Sequence, residues 1–388
     1  MNARAAVSAS PLSSPNARLL GRPGGRAALD TPALVVDRAA LDRNIAAMAA
    51  HVRAAGIALR PHVKTHKSVV IARRQVAAGA LGVSCVTLGE AEIMVRANIP
   101  GVHVTSPATT AAKIARLVAL ARSPHRGLSA VVDHPDNVAA LSVALRDAPA
   151  PLAVFVDVDA GQGRTGCTFD AAPKLAQVVR AAPGLAFAGI QAYAGHLQHV
   201  PARAERRERT LRLADRLRDL LQALARDGLP ASVVTGGGTG TFDLDPEARI
   251  FTELQVGSYV FMDVEYRRAL TDGRNALPFE TALFVATAVV SVNQPDYVVT
   301  DAGLKSFATD GPPPEPARGA PPGSRYEFFG DEHGKLFVPV GATRPALGSV
   351  IECVTPHCDP TVNLHDLYHV VDRDTLVELW PVDARGKR

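Results

Sequence analysis

Short apolar runs alternate with segments of helical periodicity from Thr31 to about Arg274. This alternation is typical of βα units built around a parallel sheet. About eight of the runs have the length and composition of strands, and eight strands are the number that closes a (β/α)8 barrel. The predicted barrel strands are residues 59–63, 82–87, 102–105, 128–133, 152–157, 186–193, 232–236 and 254–259.

The clearest helix is predicted over residues 201–228, where leucines recur on one face at helical spacing. This stripe consists of Leu213, Leu217, Leu220, Leu221 and Leu224. Charged residues fill the other positions, and we interpret them as a solvated face with ion pairs between successive turns. They include Arg206, Arg207, Asp215, Arg216 and Asp219. A binding patch for an anionic partner is the alternative that the arginines leave open.

After about Arg274 the chain consists of strand-like runs separated by glycine and proline turns, without a convincing helix. The predicted strands are residues 283–292, 297–301, 336–340, 349–354, 367–371 and 376–380. Residues 310–324 are predicted to form a loop. A strand over residues 31–37 precedes the first barrel helix and is expected to join this second domain.

These patterns predict an α/β protein in which a (β/α)8 TIM-like barrel is followed by a second, mostly antiparallel β domain. Residues 1–29 form an N-terminal arm and residues 30–38 the strand that joins the β domain. Residues 39–273 form the barrel and residues 274–388 the C-terminal β domain. Arginine, serine and alanine dominate the arm and no acidic residue precedes Asp30, so we expect a loosely ordered arm, with a targeting segment as the alternative.

Composition excludes several classes of function. The formal net charge of +4 is small for 388 residues and the arginines are dispersed, which argues against nucleic acid as a partner. No run of eighteen or more apolar residues predicts a membrane span. The four cysteines are too sparse and irregular for a disulfide framework, so a reducing cytoplasm is the expected location.

Lys64 follows the first predicted barrel strand, at the end where barrel enzymes place their chemistry. A lysine pointing into the barrel mouth is partly desolvated, which lowers the pKa of its amine and makes it a nucleophile toward an aldehyde. Lys64 is therefore the Schiff-base candidate. A surface or ion-paired lysine is the alternative interpretation.

A glycine-rich turn, residues 235–240, follows the seventh predicted strand. Consecutive glycines let backbone amides converge on an anion, and many barrels bind phosphate with the loops after strands seven and eight. The second loop would be Gly257-Ser258-Tyr259. A tight connection without a ligand is the alternative. The turn lacks the Walker A pattern.

His357 and Asp359 are the candidate metal ligands. In an extended segment, residues two apart share a face, so these two side chains converge while Cys358 points away. One imidazole and one carboxylate without a thiolate suit Mn²⁺ or Mg²⁺ better than structural Zn²⁺. His-x-Asp is common, so the motif alone also fits a site without metal.

Polar residues at the ends of strands five and six provide further candidates. Arg164 is placed to face a cofactor ring, Tyr193 to lie beside one, and His196 or His199 to act near a substrate hydroxyl. Solvation or helix capping is the alternative role for both histidines.

Together these motifs resemble the D-threonine aldolase family, which is related to metal-dependent D-serine dehydratase and has an alanine-racemase-like barrel. The resemblance runs from about Asp30 to Gly386. It rests on an ordered set of motifs in residues 61–67, 161–164, 191–193, 235–240, 255–263, 301–305 and 356–360.

The resemblance implies a homodimeric fold-type III enzyme that binds pyridoxal 5'-phosphate (PLP) in the barrel and a divalent metal ion in the β domain. Lys64 would bind PLP, Arg164 would face the pyridine nitrogen, and Tyr193 would lie beside the ring. His199 would act near the β-hydroxyl of the substrate. The phosphate would be held by Thr235, Gly237, Gly238, Ser258 and Tyr259, and the metal by His357 and Asp359.

The expected reaction is retro-aldol cleavage of a β-hydroxy D-amino acid, such as D-threonine, to glycine and an aldehyde. Alternatives are a D-serine or 3-hydroxyaspartate dehydratase, a 3-hydroxyaspartate aldolase and, from other classes, an amino-acid racemase or a non-catalytic PLP carrier. The chain departs from a common family pattern at Ala194, at His196 and over residues 86–90. Because these positions line the barrel mouth, they leave the substrate more open than the reaction.

Overall fold

The computed structural model describes residues 14–272 and 276–388. Its helices are α1 Arg38–Ala55, α2 Val69–Ala77, α3 Leu88–Arg96, α4 Ala111–Ala121, α5 Pro135–Leu145, α6 Ala172–Ala181, α7 Arg203–Arg226, α8 Asp245–Ala248, α9 Val264–Ala269 and α10 Cys358–Val362. Its strands are β1 Ala33–Asp37, β2 Ala58–Leu59, β3 Val83–Cys85, β4 Val102–Val104, β5 Ser129–Val132, β6 Leu152–Asp157, β7 Leu185–Ala192, β8 Val233–Gly236, β9 Glu253–Leu254, β10 Leu283–Ser291, β11 Tyr297–Thr300, β12 Glu315–Arg318, β13 Arg325–Phe328, β14 Gly334–Phe337, β15 Val350–Val354, β16 Leu367–Asp372 and β17 Thr375–Pro381.

The barrel is an eight-stranded parallel sheet in the order β2-β9-β8-β7-β6-β5-β4-β3. A parallel bridge between His62 and Ser84 joins the two ends of this order, so every strand has a neighbour on both sides. Each predicted barrel strand is present, and most are shorter than predicted. The strands and their helices share one large apolar core, as expected when helices cover the outside of a parallel sheet.

The second domain is a nine-stranded sheet whose members pair antiparallel except for β1 with β16. Strand β1 lies between β10 and β16, which confirms that the N-terminal strand joins this sheet. Two predictions were wrong here. Strand β12 lies within the predicted loop 310–324 and pairs with β15, and the short helix α10 interrupts a region predicted to lack helices.

The described part of the N-terminal arm is ordered, contrary to expectation. Residues 14–29 form two 3₁₀ turns, Pro15–Leu19 and Gly25–Ala28. Leu19 and Leu29 are buried in a small apolar cluster with Val35 and Leu376. These contacts anchor the segment because apolar surface is removed from water. Residues 1–13, and the predicted domain boundary at 273–274, lie outside the described residues.

Helix α7 confirms the predicted leucine stripe but corrects one member of the polar face. Leu213, Leu217 and Leu224 are buried, whereas Arg206, predicted to be solvated, is fully buried as well. Its guanidinium donates to the carbonyl oxygens of Val200 and Ala269. In the described ranges, each helix is too short or too polar to cross a bilayer.

We predict that the buried ion pair between Arg26 and Glu352 stabilises the N-terminal arm on the β domain. Two hydrogen bonds of 2.6 and 2.7 Å join the guanidinium to the carboxylate. Arg26→Ala would leave Glu352 without its main partner, since Arg318 approaches only to 3.5 Å. Loss of one partner of a buried pair costs about 3–5 kcal/mol of unfolding free energy, which urea denaturation measures.

Arg43→Ala is the matched control, because the Arg43–Glu280 pair has the same bidentate geometry but both side chains are more than half exposed. Exposed pairs contribute at most about 1 kcal/mol. Equal losses of stability in the two variants would contradict the prediction.

Candidate active site

Lys64 lies just beyond β2 in a 3₁₀ turn, Val63–Thr65, at the mouth of the barrel. The turn begins at His62, whose Nδ1 accepts a hydrogen bond from the Lys64 amide. The Lys64 ammonium group forms a short ion pair with Asp359 of the β domain. One contact therefore brings together the predicted Schiff-base lysine and a predicted metal ligand from the two domains.

This ion pair overturns the expected direction of the Lys64 pKa. Burial lowers the pKa of an amine, but the Asp359 carboxylate outweighs burial and raises the pKa of Lys64 above its ordinary value. For Asp359, burial works against ionisation, yet Lys64 and His357 lower the pKa of the carboxyl group. The expected lowering of the Lys64 pKa was therefore wrong, because Asp359 stabilises the ammonium form.

His357 and Asp359 lie at the start of a helix and not in the continuous strand that the prediction assumed. His357 has extended backbone angles and is the N-cap of α10, and Asp359 lies in its first turn. Cys358 between them is fully buried and faces Thr355, at 3.8 Å between Sγ and Oγ1. The thiol therefore lies in the protein interior against Thr355.

The contacts of these two residues fit a bound cation. Oδ2 of Asp359 pairs with Lys64, whereas Oδ1 is buried without a hydrogen-bond partner among the described residues. Nδ1 of His357 lies 2.9 Å from Asp310 Oδ2, so its Nε2 is left for another partner. Burial lowers the pKa of His357, but the carboxylates of Asp359, Asp263 and Asp310 outweigh it and raise that pKa. No cluster of three or more His, Cys, Asp or Glu ligands occurs in the described ranges.

The glycine turn after β8 is tightly packed against neighbouring side chains. Gly237 has a φ of +68°, and a Cβ built there would lie 2.4 Å from Asp245 Oδ2. A Cβ on Gly238 would lie 2.3 Å from Gln198 Oε1. The left-handed backbone at 237 therefore favours glycine, whereas a side chain at 238 would have to displace the Gln198 amide group. The amides of Gly237 and Ser258 have no acceptor in the part of the chain that the structure describes, which fits a phosphate-binding role.

Two residues predicted for the phosphate site have other partners. The hydroxyl of Thr235 donates to Glu253 and accepts from Gln255 in the barrel interior. Tyr259 is fully buried, its hydroxyl accepts from Gln75, and its amide donates to Thr239 Oγ1. In this structure both residues contact neighbouring side chains that support the two loops.

The phosphate loops lie close to Lys64. A Cβ built on Gly257 would lie 2.6 Å from Thr65 Oγ1, so the loop after β9 contacts the residue next to Lys64. The hydrogen bond from the Tyr259 amide to Thr239 joins this loop to the glycine turn. Lys64 is therefore bordered by the candidate phosphate loops on one side and by Asp359 on the other.

Aromatic and imidazole groups lie near Lys64, close enough for their charges to influence one another. The Arg164 guanidinium carbon lies 5.3 Å from the centroid of the Tyr193 ring, within the range of a cation–π contact. The His199 ring lies 4.5 Å from that of Tyr266. Desolvation, followed by the positive charges of His357 and Lys64, lowers the pKa of His199 to about 4, although the residue is exposed on one side. His196 is exposed beside Gly161 and takes no part in these contacts.

Two carboxylates near the candidate metal ligands His357 and Asp359 were not predicted from the sequence. Asp310 contacts His357 directly, and Glu265 lies close enough for the charge of His357 to lower its pKa, although burial raises that pKa overall. Asp310 falls in the proline- and glycine-rich stretch predicted as a loop, where nothing in the local sequence distinguishes it. Only the fold brings it to the site.

Comparison with known proteins agrees with this architecture. Residues 36–265 match the alanine racemase N-terminal domain family, and residues 282–371 match the putative serine dehydratase domain family. The fold and the site thus define an enzyme with an alanine-racemase-like barrel and a serine-dehydratase-type β domain.

Relatives along nearly the whole chain define the family further. A D-threonine aldolase from Arthrobacter sp. is 42% identical, with 93% of this chain and 94% of that protein covered. A 3-hydroxy-D-aspartate aldolase from Paracoccus denitrificans (strain Pd 1222) is 38% identical over 92% of this chain and 93% of that protein. The crystal structure of D-threonine aldolase from Filomicrobium marinum is 39% identical and matches with a TM-score of 0.87 over 92% of this chain and 96% of that chain. The chain belongs to the D-threonine aldolase family and is a lyase.

We predict that Asp245, behind the glycine turn, makes stability depend on pH. Burial raises the pKa of Asp245 to about 8, although hydrogen bonds from Thr241 and the Gly238 amide oppose the shift. A carboxyl pKa raised by folding favours the folded state at low pH, and this contribution is lost between about pH 4 and pH 8. When the pH is raised from about 5 to about 9, the melting temperature of Asp245→Asn should therefore fall less than that of wild type.

Asp215→Asn is the control, since Asp215 is exposed and paired with Arg218 on α7. It should keep the wild-type dependence on pH. If the melting temperature of Asp245→Asn changed with pH as much as that of wild type, Asp245 would not titrate in this range.

Proposed function

We propose that the protein is a PLP- and divalent-metal-dependent aldolase that cleaves the Cα–Cβ bond of β-hydroxy D-amino acids. D-Threonine-like substrates would yield glycine and an aldehyde. The observation that carries this proposal is the contact between Lys64 and Asp359. A lysine suited to PLP thus lies beside a carboxylate suited to a metal ion, so a single small substrate would reach both.

Several residues would hold PLP. Lys64 would bind its aldehyde, and the free amides of Gly237 and Ser258 would bind its phosphate. Thr235, Gly238 and Tyr259 would act mainly by holding these loops in place. Tyr193 and Arg164, which already contact each other, would enclose the ring, with Arg164 toward the pyridine nitrogen.

His357 and Asp359 would hold the metal ion, with Nε2 of the imidazole and Oδ1 of the carboxylate as the groups left without partners. An imidazole–carboxylate set suits Mn²⁺ or Mg²⁺ better than a structural Zn²⁺ site. Two protein ligands leave several coordination positions open, as in catalytic metal sites.

When bound, PLP would accept the electrons released from Cα, and the metal ion would polarise the β-hydroxyl. His199 would accept the proton of that hydroxyl, because its lowered pKa leaves the imidazole neutral near pH 7. The Tyr266 ring against it would fix its orientation. Lys64 would leave Asp359 on binding PLP, which makes this carboxylate available to the metal ion.

Two properties of the molecule belong to the same proposal. The family resemblance supports a homodimer, and the free cysteines support a cytoplasmic location. A small β-hydroxy D-amino acid is the proposed partner, and neither nucleic acid nor membrane is expected.

The proposal predicts that activity on a panel of β-hydroxy D-amino acids requires both PLP and Mn²⁺. Wild type should release glycine and an aldehyde, and EDTA should abolish this release until Mn²⁺ is restored. Lys64→Ala should lose the visible absorbance band of bound PLP together with activity. Lys305→Ala is the control, because Lys305 pairs with Glu332 on the surface of the β domain.

The products separate the alternatives. Ketoacid and ammonia instead of aldehyde and glycine would identify a dehydratase and contradict the aldolase. Inversion at Cα that survives EDTA would identify a racemase. An unchanged PLP spectrum after addition of D-threonine and β-hydroxyaspartate would favour a non-catalytic carrier.

A second prediction concerns His199. His199→Ala should reduce kcat by about 10²–10⁴-fold, the usual contribution of a general base, while the PLP absorbance and Mn²⁺ affinity stay close to wild type. His196→Ala is the matched control, because His196 lies three residues away and is exposed like His199, but has no ring contact with Tyr266. An equal loss in both variants would show that His199 has no specific role in proton transfer.

A further inference from the structure

Asp310 lies against the imidazole of His357, outside the set of residues that the sequence motifs identify. The Asp310 Oδ2 atom is 2.9 Å from His357 Nδ1, within hydrogen-bond distance. Asp310 follows β11 and precedes β12, so it comes from a different segment than His357 at the start of α10. Its carboxylate is exposed on one side and contacts the ring on the other.

This contact decides which nitrogen of His357 faces the cavity. A neutral imidazole carries one proton, and a carboxylate can only accept a hydrogen bond from it. Asp310 therefore holds the proton on Nδ1 and leaves the lone pair of Nε2 free. Oδ1 of Asp359 also lacks a partner among the described residues. His357 and Asp359 therefore each offer one acceptor atom to a cation, Nε2 and Oδ1.

We propose that Asp310 is a positioning residue that fixes the tautomer and orientation of the His357 ring for metal binding. A carboxylate on the second nitrogen of a metal-binding histidine makes the imidazole a better ligand and holds it in place. The inference rests on the proposed function for the presence of the metal. The geometry of the hydrogen bond is independent of it.

Neighbouring carboxylates act differently on His357. Asp263 is buried and accepts from the amides of Tyr266 and Cys358, so it shapes the backbone around α10. Glu265 interacts with His357 through charge alone in the described contacts. Replacing Glu265 changes the local charge without touching the Asp310–His357 hydrogen bond, which makes it a matched control.

The first experiment is titration of the PLP-loaded enzyme with Mn²⁺, with free Mn²⁺ measured by electron paramagnetic resonance. Asp310→Ala should raise the Kd by about 10–100-fold, the usual effect of losing such a partner. Asp310→Asn should recover most of this loss, because its amide oxygen still accepts from Nδ1–H. Asp331→Ala, which removes an exposed carboxylate beside Lys305, should stay close to wild type. Glu265→Gln should weaken binding less than Asp310→Ala, because it removes a nearby charge and leaves the hydrogen bond to His357 in place.

The second experiment reads the tautomer without metal. Nitrogen-15 NMR of the metal-free enzyme at pH 9 should show His357 protonated on Nδ1 in wild type, with the signal assigned by His357→Gln. In Asp310→Ala the proton should move to Nε2, whereas a merely structural loss would leave the tautomer unchanged.

Two results would overturn the inference: an Nε2–H tautomer in the wild type, or a Glu265→Gln variant that loses as much affinity as Asp310→Ala. A wild-type enzyme that binds PLP but no Mn²⁺ would contradict the proposed function instead, and the NMR tautomer would then decide the role of Asp310 by itself.

Discussion

The ion pair between Lys64 and Asp359 is the contact on which the proposed active site depends. The two residues are 295 positions apart in the chain, and each belongs to a different domain. Burial disfavours both charges, and the attraction between them outweighs this effect, so the pKa of Lys64 is raised and that of Asp359 is lowered. The cavity is therefore defined by the relative placement of the barrel mouth and helix α10.

The fold fixes this placement through the N-terminal strand. Strand β1 pairs with β10 and β16 in the second sheet and leads directly into α1 of the barrel. Arg26, which precedes β1, binds Glu352 on β15 of the same sheet. The chain therefore begins in the β domain at β1, forms the barrel and returns to the β domain at β10. These connections and the packing between the domains hold the two parts of the site in a fixed relative position, as a site built from two domains requires.

Local sequence patterns predicted much of this structure because they report local physics. Apolar runs located the barrel strands, and the rule that barrel chemistry lies at strand ends located Lys64 and the glycine turn. Properties that depend on distant residues were not predictable. The pKa of Lys64 is raised by a carboxylate from the other domain, Arg206 is buried by carbonyl groups that no periodicity encodes, and Asp310 comes from an unremarkable turn.

The most direct test of the central claim is a crystal structure of the PLP-loaded protein grown with Mn²⁺, with anomalous diffraction used to locate the metal. The account predicts continuous density from Lys64 to PLP and one anomalous peak beside His357 and Asp359, both lining the same cavity. PLP on another lysine, or Mn²⁺ bound away from His357 and Asp359, would contradict it.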